Sequence, residues 1–355
     1  MPFGSWTNVM GENEVRILYL SCHSINEFED LKLFTELGHE VLSQGVYKTP
    51  DNPEDKARPP IPEAYRNEEL KPLLYSLVWG ADPNKGGFYA ASIPQPLIDW
   101  CDTIYILGIE AWLPANWERI KHKHVVFRSI GQAVERTERV LAQYKPQGLK
   151  IVRYSPYEWS IPCFSGADAT IRFYKDSDEY KGWTGENKQV ITVSQAMKKR
   201  DAALKFSVFN ACTQGFPRKL YGFSNDDVDK ELSGGALTYE QLKQVLRENR
   251  VFFYTCTFPA PYTMGFQEAL MTGIPVVAIG SRLAGWSWIE VPHFIKNGVN
   301  GFTSDSIDEL RGYVSLLLED YELAKRISVE GRKTAIELFD KSKIKEQWKA
   351  FFESL

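Results

Sequence analysis

Signatures of metal binding and redox chemistry are largely missing from this sequence. The five cysteines (Cys22, Cys101, Cys163, Cys212 and Cys256) are scattered, odd in number and without a CxxC. That excludes a zinc ribbon or a disulfide scaffold and predicts reduced thiols in a cytoplasmic protein. His122 and His124 form an HxH with no third ligand in view, so no metal is expected. No apolar run approaches the roughly 20 residues of a spanning helix, and no basic amphipathic helix stands out, so no stable membrane anchor is expected. The opening MPFGSWTNVMGENEV has neither the basic nor the apolar region of a secretory signal. Positive charge is not in excess: 42 Lys and Arg face 46 Asp and Glu, for a net charge of −4. General nucleic-acid binding is thereby disfavoured, although a local basic groove stays open. Internal repeats and low-complexity segments are absent too.

What is present is a soluble α/β pattern. With 43% apolar and 25% charged residues over 355 positions, the chain is too long for one ordinary core, and two α/β domains are expected. Strands are predicted at 15–21, 39–45, 103–108, 124–129 and 149–154, with a helix over 26–38. A second series has strands at 189–194, 204–210, 250–255 and 275–280 and a helix over 238–249. The end is helical, over 306–320, 321–339 and 341–355. Segment 49–65, rich in Pro and charge, reads as an irregular excursion, and 175–187 as a polar, turn-rich boundary. Alternation of this kind belongs to parallel sheets covered by helices.

The densest signal is 263-TMGFQEALMTGIPVVAIG-280. It reads as a helix with Gly265 and Phe266 at its start and Glu268 in its first turn. Gly273 closes it, and Pro275 precedes a buried strand. Free N–H groups at a helix start suit a phosphate, and a carboxylate accepts hydrogen bonds from a vicinal diol such as a ribose. Together they point to a nucleotide.

Residues 242–352 resemble the retaining glycosyltransferases of family 4. The matching residues are 265-GFQEALMTGIPVVA-278, 297-NGVNGF-302 and the helical 308–339, with a weaker echo at 37-LGHEV-41. The resemblance implies the GT-B architecture, two Rossmann-like domains facing a cleft. It places an acceptor domain at 1–180, a donor domain at 181–338, and a helix at 339–355 crossing back to the first. It further implies a UDP- or GDP-sugar as co-substrate, no other cofactor, no metal, and retention of anomeric configuration. Glu268 matches the second of the family's paired glutamates and would hold the ribose with Gln267 beside it. The first glutamate, which in the family usually holds sugar hydroxyls, falls on Ala260.

The family's Arg–Lys pair for the diphosphate falls on Gln195 and Arg200, with Lys199 as a neighbouring substitute. Arg200 can grip phosphate in a forked geometry. Arg218 and Lys219, within 215-GFPRKLYG-222, read as a loop after a strand and as further donor-phosphate cations. In the first domain, Arg128, Gly131 and Gln132 follow a strand end and should face the cleft. Arg128 stands in for the family's histidine, and Glu110 would orient the acceptor hydroxyl. His23 is a candidate acceptor contact after the first strand. Trp286 and Trp288 either shape a pocket or pack. Acceptors open to this reading are a glycan, a lipid-linked precursor, a small molecule, or a modified base in DNA. Alternatives are a non-catalytic nucleotide-sugar binder and, more weakly, a nicotinamide-dependent oxidoreductase. Neither half has a GxGxxG after its first strand.

Overall fold

The computed structural model describes residues 15–45, 69–82, 86–131 and 134–355. The excursion at 49–65 and Gln132 lie outside the described residues. The first domain carries strands β1 (Arg16–Leu20), β2 (Glu40–Ser43), β3 (Trp79–Ala81), β4 (Phe88–Ala90), β5 (Thr103–Leu107), β6 (His124–Arg128), β7 (Lys150–Arg153) and β8 (Ala169–Thr170). Its helices are α1 (Ser24–Glu36), α2 (Lys71–Leu74), α3 (Gln95–Trp100), α4 (Trp112–Ile120) and α5 (Glu135–Tyr144). The second domain carries β9 (Asn187–Val193), β10 (Arg218–Tyr221), β11 (Ser233–Gly235), β12 (Asn249–Tyr254), β13 (Val276–Ile279) and β14 (Phe302–Ser304). Its helices are α6 (Asp201–Leu204), α7 (Phe206–Thr213), α8 (Tyr239–Glu248), α9 (Met264–Thr272), α10 (Ser281–Ala284), α11 (Val291–Phe294), α12 (Ile307–Glu319), α13 (Tyr321–Phe339) and α14 (Lys341–Glu353).

Each domain is built on a parallel sheet. The first runs β2-β1-β5-β6-β7-β8 and the second β11-β10-β9-β12-β13-β14. Strands β3 and β4 form a separate antiparallel hairpin. Both faces of the first sheet are covered: Ile17 and Tyr19 of β1 enter one apolar cluster, Leu18 and Leu20 the other. Such strands read as continuous apolar runs, which is why 103-TIYIL-107 and 276-VVAI-279 were legible. Strand order reverses between β1 and β5, and again between β9 and β12. Ligands of open α/β sheets bind beyond the strand ends at such points. This is the two-domain architecture implied by the resemblance.

Two elements differ from expectation. The predicted strand at 204–210 is helix α7, which buries Phe209, Cys212 and Thr213 along one side. The run LKFSVFN is too short for periodicity to separate helix from strand. Residues 215–222 hold strand β10, with Leu220 buried in the sheet, where a loop was expected. Within the polar, turn-rich segment 175–187, Lys175 and Tyr180 are buried.

The last helix, α14, lies on the first domain. Trp348 meets Phe34 and Tyr105 at ring distances of 5.1 and 5.8 Å, and Phe352 meets Phe34 at 5.2 Å. Trp348 is fully buried there, so truncating it to Ala costs about 3–5 kcal/mol. The helix therefore fastens the end of the chain to its beginning.

Candidate functional site

Helix α9 starts where β12 ends, at the reversal point of the second sheet. Thr263 is its N-cap, and the Thr263 hydroxyl accepts from the Phe266 N–H at 3.4 Å. Gly273 ends it in a left-handed conformation, φ 94°. Gly265 is the second helical residue and is partly exposed. A Cβ built on Gly265 would meet only the Thr263 Oγ1, at 4.0 Å. Its φ is ordinary as well, so neither packing nor backbone strain requires glycine there. A bare backbone at a helix start fits close approach of a ligand. The Phe266 side chain, by contrast, is core, stacked on Phe294 at 5.9 Å.

Glu268 begins the second turn of α9, one turn later than expected. It is buried, and its Oε1 accepts from Lys175 Nζ at 2.9 Å and from the Tyr180 hydroxyl at 3.2 Å. Lys175 has no solvent exposure and also donates to Glu29 Oε1 of α1 at 3.0 Å. Beside Glu268, the Gln267 amide donates to the Phe173 carbonyl at 2.7 Å. The crossover segment 171–180 thus threads between the two domains and touches the helix that the sequence singled out.

The loop after β9 carries Gln195, Lys199 and Arg200. The Asn225 amide shapes it by donating to the carbonyls of Ser194 and Gly222 at 2.7 and 3.1 Å. Lys199 pairs with Asp226 at 2.7 Å. Arg200 precedes α6, is exposed, and makes no side-chain hydrogen bond or ion pair among the described residues. Arg218 and Lys219 are corrected: they stand at the start of β10, not on a loop after a strand. Arg218 donates to Thr213 Oγ1 at 3.0 Å and Lys219 to the Glu231 carbonyl at 2.7 Å. That is the opposite end of a parallel strand from the ligand edge.

In the first domain, Arg128 is also corrected. It is fully buried rather than facing an open cleft. Its guanidinium lies 4.5 Å from the Phe173 ring centre and 5.3 Å from that of Trp348, and donates to the Arg153 carbonyl at 2.8 Å. It neighbours Asp30, whose carboxylate accepts from the Tyr19 and Tyr105 hydroxyls at 2.8 and 3.2 Å. Burial pushes the Asp30 carboxyl up to about 6, against the opposing pull of Arg128 and the two tyrosines. Glu110 sits just beyond β5, buried, 3.6 Å from Arg136. Burial raises its carboxyl above the usual range, against the opposing backbone hydrogen bond and Arg136 charge. His23 caps α1 and is partly exposed. Gly131 touches the second domain: a Cβ built on it would lie 2.6 Å from the Ala260 Cβ.

Further bonds tie the domains together. Arg172 grips Glu290 with two contacts, 2.9 and 2.5 Å, and Ser155 donates to Glu290 at 2.5 Å. The Tyr262 hydroxyl donates to the Tyr154 carbonyl at 2.8 Å. Trp286 packs on Phe258, and Trp288 donates to the Pro259 carbonyl at 2.6 Å, so both shape the loop before α9. The reading of the sequence missed Lys175, Tyr180 and Lys205. The last is a half-buried lysine in left-handed conformation, close enough to Cys256 at the end of β12 for its charge to act on the thiol. Only the three-dimensional contacts mark these three. Among the described residues, no group of three or more His, Cys, Asp or Glu is placed to hold a metal, and no helix is long and apolar enough to cross a membrane.

No protein-family model matches the chain, and no curated protein matches it in sequence. Solved structures do match in fold. HepE of Anabaena, in complex with UDP-glucose, aligns with a TM-score of 0.62 at 17% identity over 96% of this chain and 100% of that one. Sucrose-phosphate synthase from Thermosynechococcus elongatus aligns at 0.66 and 12% identity, over 96% and 98%. An alpha-glucosyltransferase in complex with UDP-glucose and DNA containing an abasic site aligns at 0.57 and 13%, over 96% and 100%. At such identities the likeness is one of fold: these neighbours are GT-B glycosyltransferases, and this chain shares their architecture along nearly its whole length.

Proposed function

We propose that this protein is a GT-B glycosyltransferase of the retaining, metal-independent type, moving a sugar from a nucleoside diphosphate to an acceptor hydroxyl. The observation that carries the reading is the start of α9. It offers a bare Gly265 backbone, an N-cap threonine and the oriented Glu268 carboxylate, at the reversal point of a sheet whose fold neighbours include complexes with UDP-glucose. Glu268 would accept from the ribose diol. The N–H groups at the start of α9, with Arg200, would hold the diphosphate, and Gln195 and Lys199 border it. Fixed donors of this kind near the leaving group each supply a few kcal/mol to the transition state by analogy with oxyanion sites, about 2.7–4.

Under this reading the second domain takes the donor, a UDP- or GDP-sugar, and the first takes the acceptor near His23, Glu110 and Gly131. In the transfer, the bond from the anomeric carbon to the diphosphate oxygen breaks, and a bond to the acceptor oxygen forms on the same face. The acceptor proton passes to the departing phosphate. Arg128 is buried away from this chemistry and is assigned no catalytic part, and Arg218 and Lys219 leave the donor site. The acceptor is a glycan, a lipid-linked precursor or a small molecule. DNA is the acceptor class that a steep loss of binding with salt would support.

A second reading, a nucleotide-sugar binder without turnover, is favoured by one observation. Gly131 and Ala260 pack together where the family's first glutamate would stand. The deciding experiment is a thermal-shift panel of nucleoside diphosphates and their sugars on wild type and Glu268→Ala, followed by transfer assays. Selective stabilisation lost in the variant, with turnover, supports the transferase. Stabilisation without hydrolysis or transfer across a broad acceptor panel supports the binder. No shift with any nucleotide overturns both.

A further inference from the structure

We infer that Lys175 is a positioning residue that couples ribose recognition to the relative placement of the two domains; the inference rests on Glu268 being the diol reader. Lys175 lies in the crossover segment, wholly buried, and bridges Glu29 of the first domain at 3.0 Å and Glu268 of the second at 2.9 Å. A buried ammonium is tolerated only when paired, and here one cation serves two buried carboxylates. Without it, two like charges from different domains would face each other in a low-dielectric interior. Lys175 therefore dictates where Glu268 points.

Its own position is fixed from both sides. The Lys175 N–H donates to the Phe339 carbonyl at 2.9 Å, and the neighbouring Tyr174 hydroxyl donates to the Glu29 carbonyl at 2.8 Å. Further along, Arg332 donates to the Tyr180 carbonyl, and the Tyr180 hydroxyl meets the same Glu268 oxygen as Lys175, at 3.2 Å. Two donors converging on Oε1 set the plane of the carboxylate, and Gln267 ties the same helix turn to Phe173 at 2.7 Å. A shift of either domain would move Lys175 relative to Glu268, and with it the geometry offered to a vicinal diol.

The test titrates UDP and 2′-deoxy-UDP calorimetrically into the full chain, or GDP and 2′-deoxy-GDP where wild type binds the guanine nucleotide instead, and the uridine pair below stands for whichever base is bound. Wild type should prefer UDP, since only it carries the complete diol. Lys175→Met should weaken UDP at least tenfold and reduce the preference over 2′-deoxy-UDP to near one. Glu268→Gln should do the same, and the double variant should be no worse than the poorer single one. Lys175→Arg should restore part of the preference. A merely structural lysine would lower the melting temperature and leave the ribose preference intact. That outcome, or losses that add in the double variant, overturns the inference while leaving the transferase reading standing. If Lys175→Met does not fold, Glu29→Gln/Lys175→Met, which removes one of the two facing carboxylates, is judged by the same criterion. Failure of wild type to bind any nucleoside diphosphate would sink the transferase reading and this inference with it.

Discussion

Gly131 and Ala260 meet across the two domains so closely that a Cβ on the glycine would stand 2.6 Å from the alanine Cβ and 3.6 Å from the Tyr154 hydroxyl. No side chain fits at Gly131 without a shift of one of the two facing segments. Gly131→Ala is therefore expected to destabilise the chain by about 1–3 kcal/mol through overpacking. Adding Ala260→Gly should recover most of that loss. Urea unfolding of both single variants and the double one checks this; a Gly131→Ala protein as stable as wild type would show that the domains yield freely.

Arg172 and Glu290 form the second interdomain clasp, with Glu290 buried and Arg172 set against the Phe294 ring at 5.1 Å. Removing one partner leaves the other charge buried without compensation, which typically costs about 3–5 kcal/mol. Arg172→Met should reach that range. Arg172→Met/Glu290→Met should be much closer to wild type, because no lone charge remains. Chemical denaturation gives both numbers, and small-angle scattering reports whether the single variant lets the domains separate.

Asp30 makes stability depend on pH in an unusual direction. The groups that face it are Tyr19 of β1, Tyr105 of β5, Arg128 of β6 and Glu29 on its own helix. Burial dominates, lifting its carboxyl from 3.8 to about 6. The folded state thus binds a proton more tightly than the unfolded one. Its contribution is most favourable below the unfolded value, declines as pH rises from about 4 to about 6, and is flat above. The swing is on the order of 3 kcal/mol. Asp30→Asn should remove it, so the stability difference, wild type minus variant, should fall as pH rises through that window. Unfolding midpoints taken between pH 4 and 7 decide it; a constant difference would mean that folding leaves the Asp30 carboxyl unshifted.

Much of the fold was legible because parallel strands buried on both faces are written as unbroken apolar runs, as in β5 and β13. The stretch around Gly265 was legible for a different reason, since N-cap, glycine stop and proline are local chemistry. What escaped was either ambiguous or distant. The run LKFSVFN fits helix or strand equally; in the structure a left-handed Lys205 separates α6 from α7 within it. Lys175 and Glu268 are 93 positions apart, and no pattern in either segment announces the other. Arg128 was placed correctly at a strand end, but whether it faces a cleft or a core depends on Trp348, which arrives from the far end of the chain.

The two basic segments of the second domain separate cleanly by variant. Arg200 follows β9 at the ligand edge, exposed and without a side-chain partner among the described residues, so Arg200→Ala should change stability by no more than about 0.5 kcal/mol. If it grips the diphosphate, its loss removes a charged donor from a developing negative charge, and kcat should fall about 100-fold. Arg218 lies at the opposite end of the neighbouring strand, bound to Thr213 at 3.0 Å and close to the Phe209 ring. Arg218→Ala should therefore cost about 1 kcal/mol of stability through its lost hydrogen bond and leave donor kinetics unchanged. Steady-state kinetics and melting curves on the two proteins give opposite patterns on this account. A kinetic defect in Arg218→Ala with a silent Arg200→Ala would move the diphosphate to the other end of the sheet, against the rule that open α/β folds bind ligands beyond the carboxyl ends of their strands.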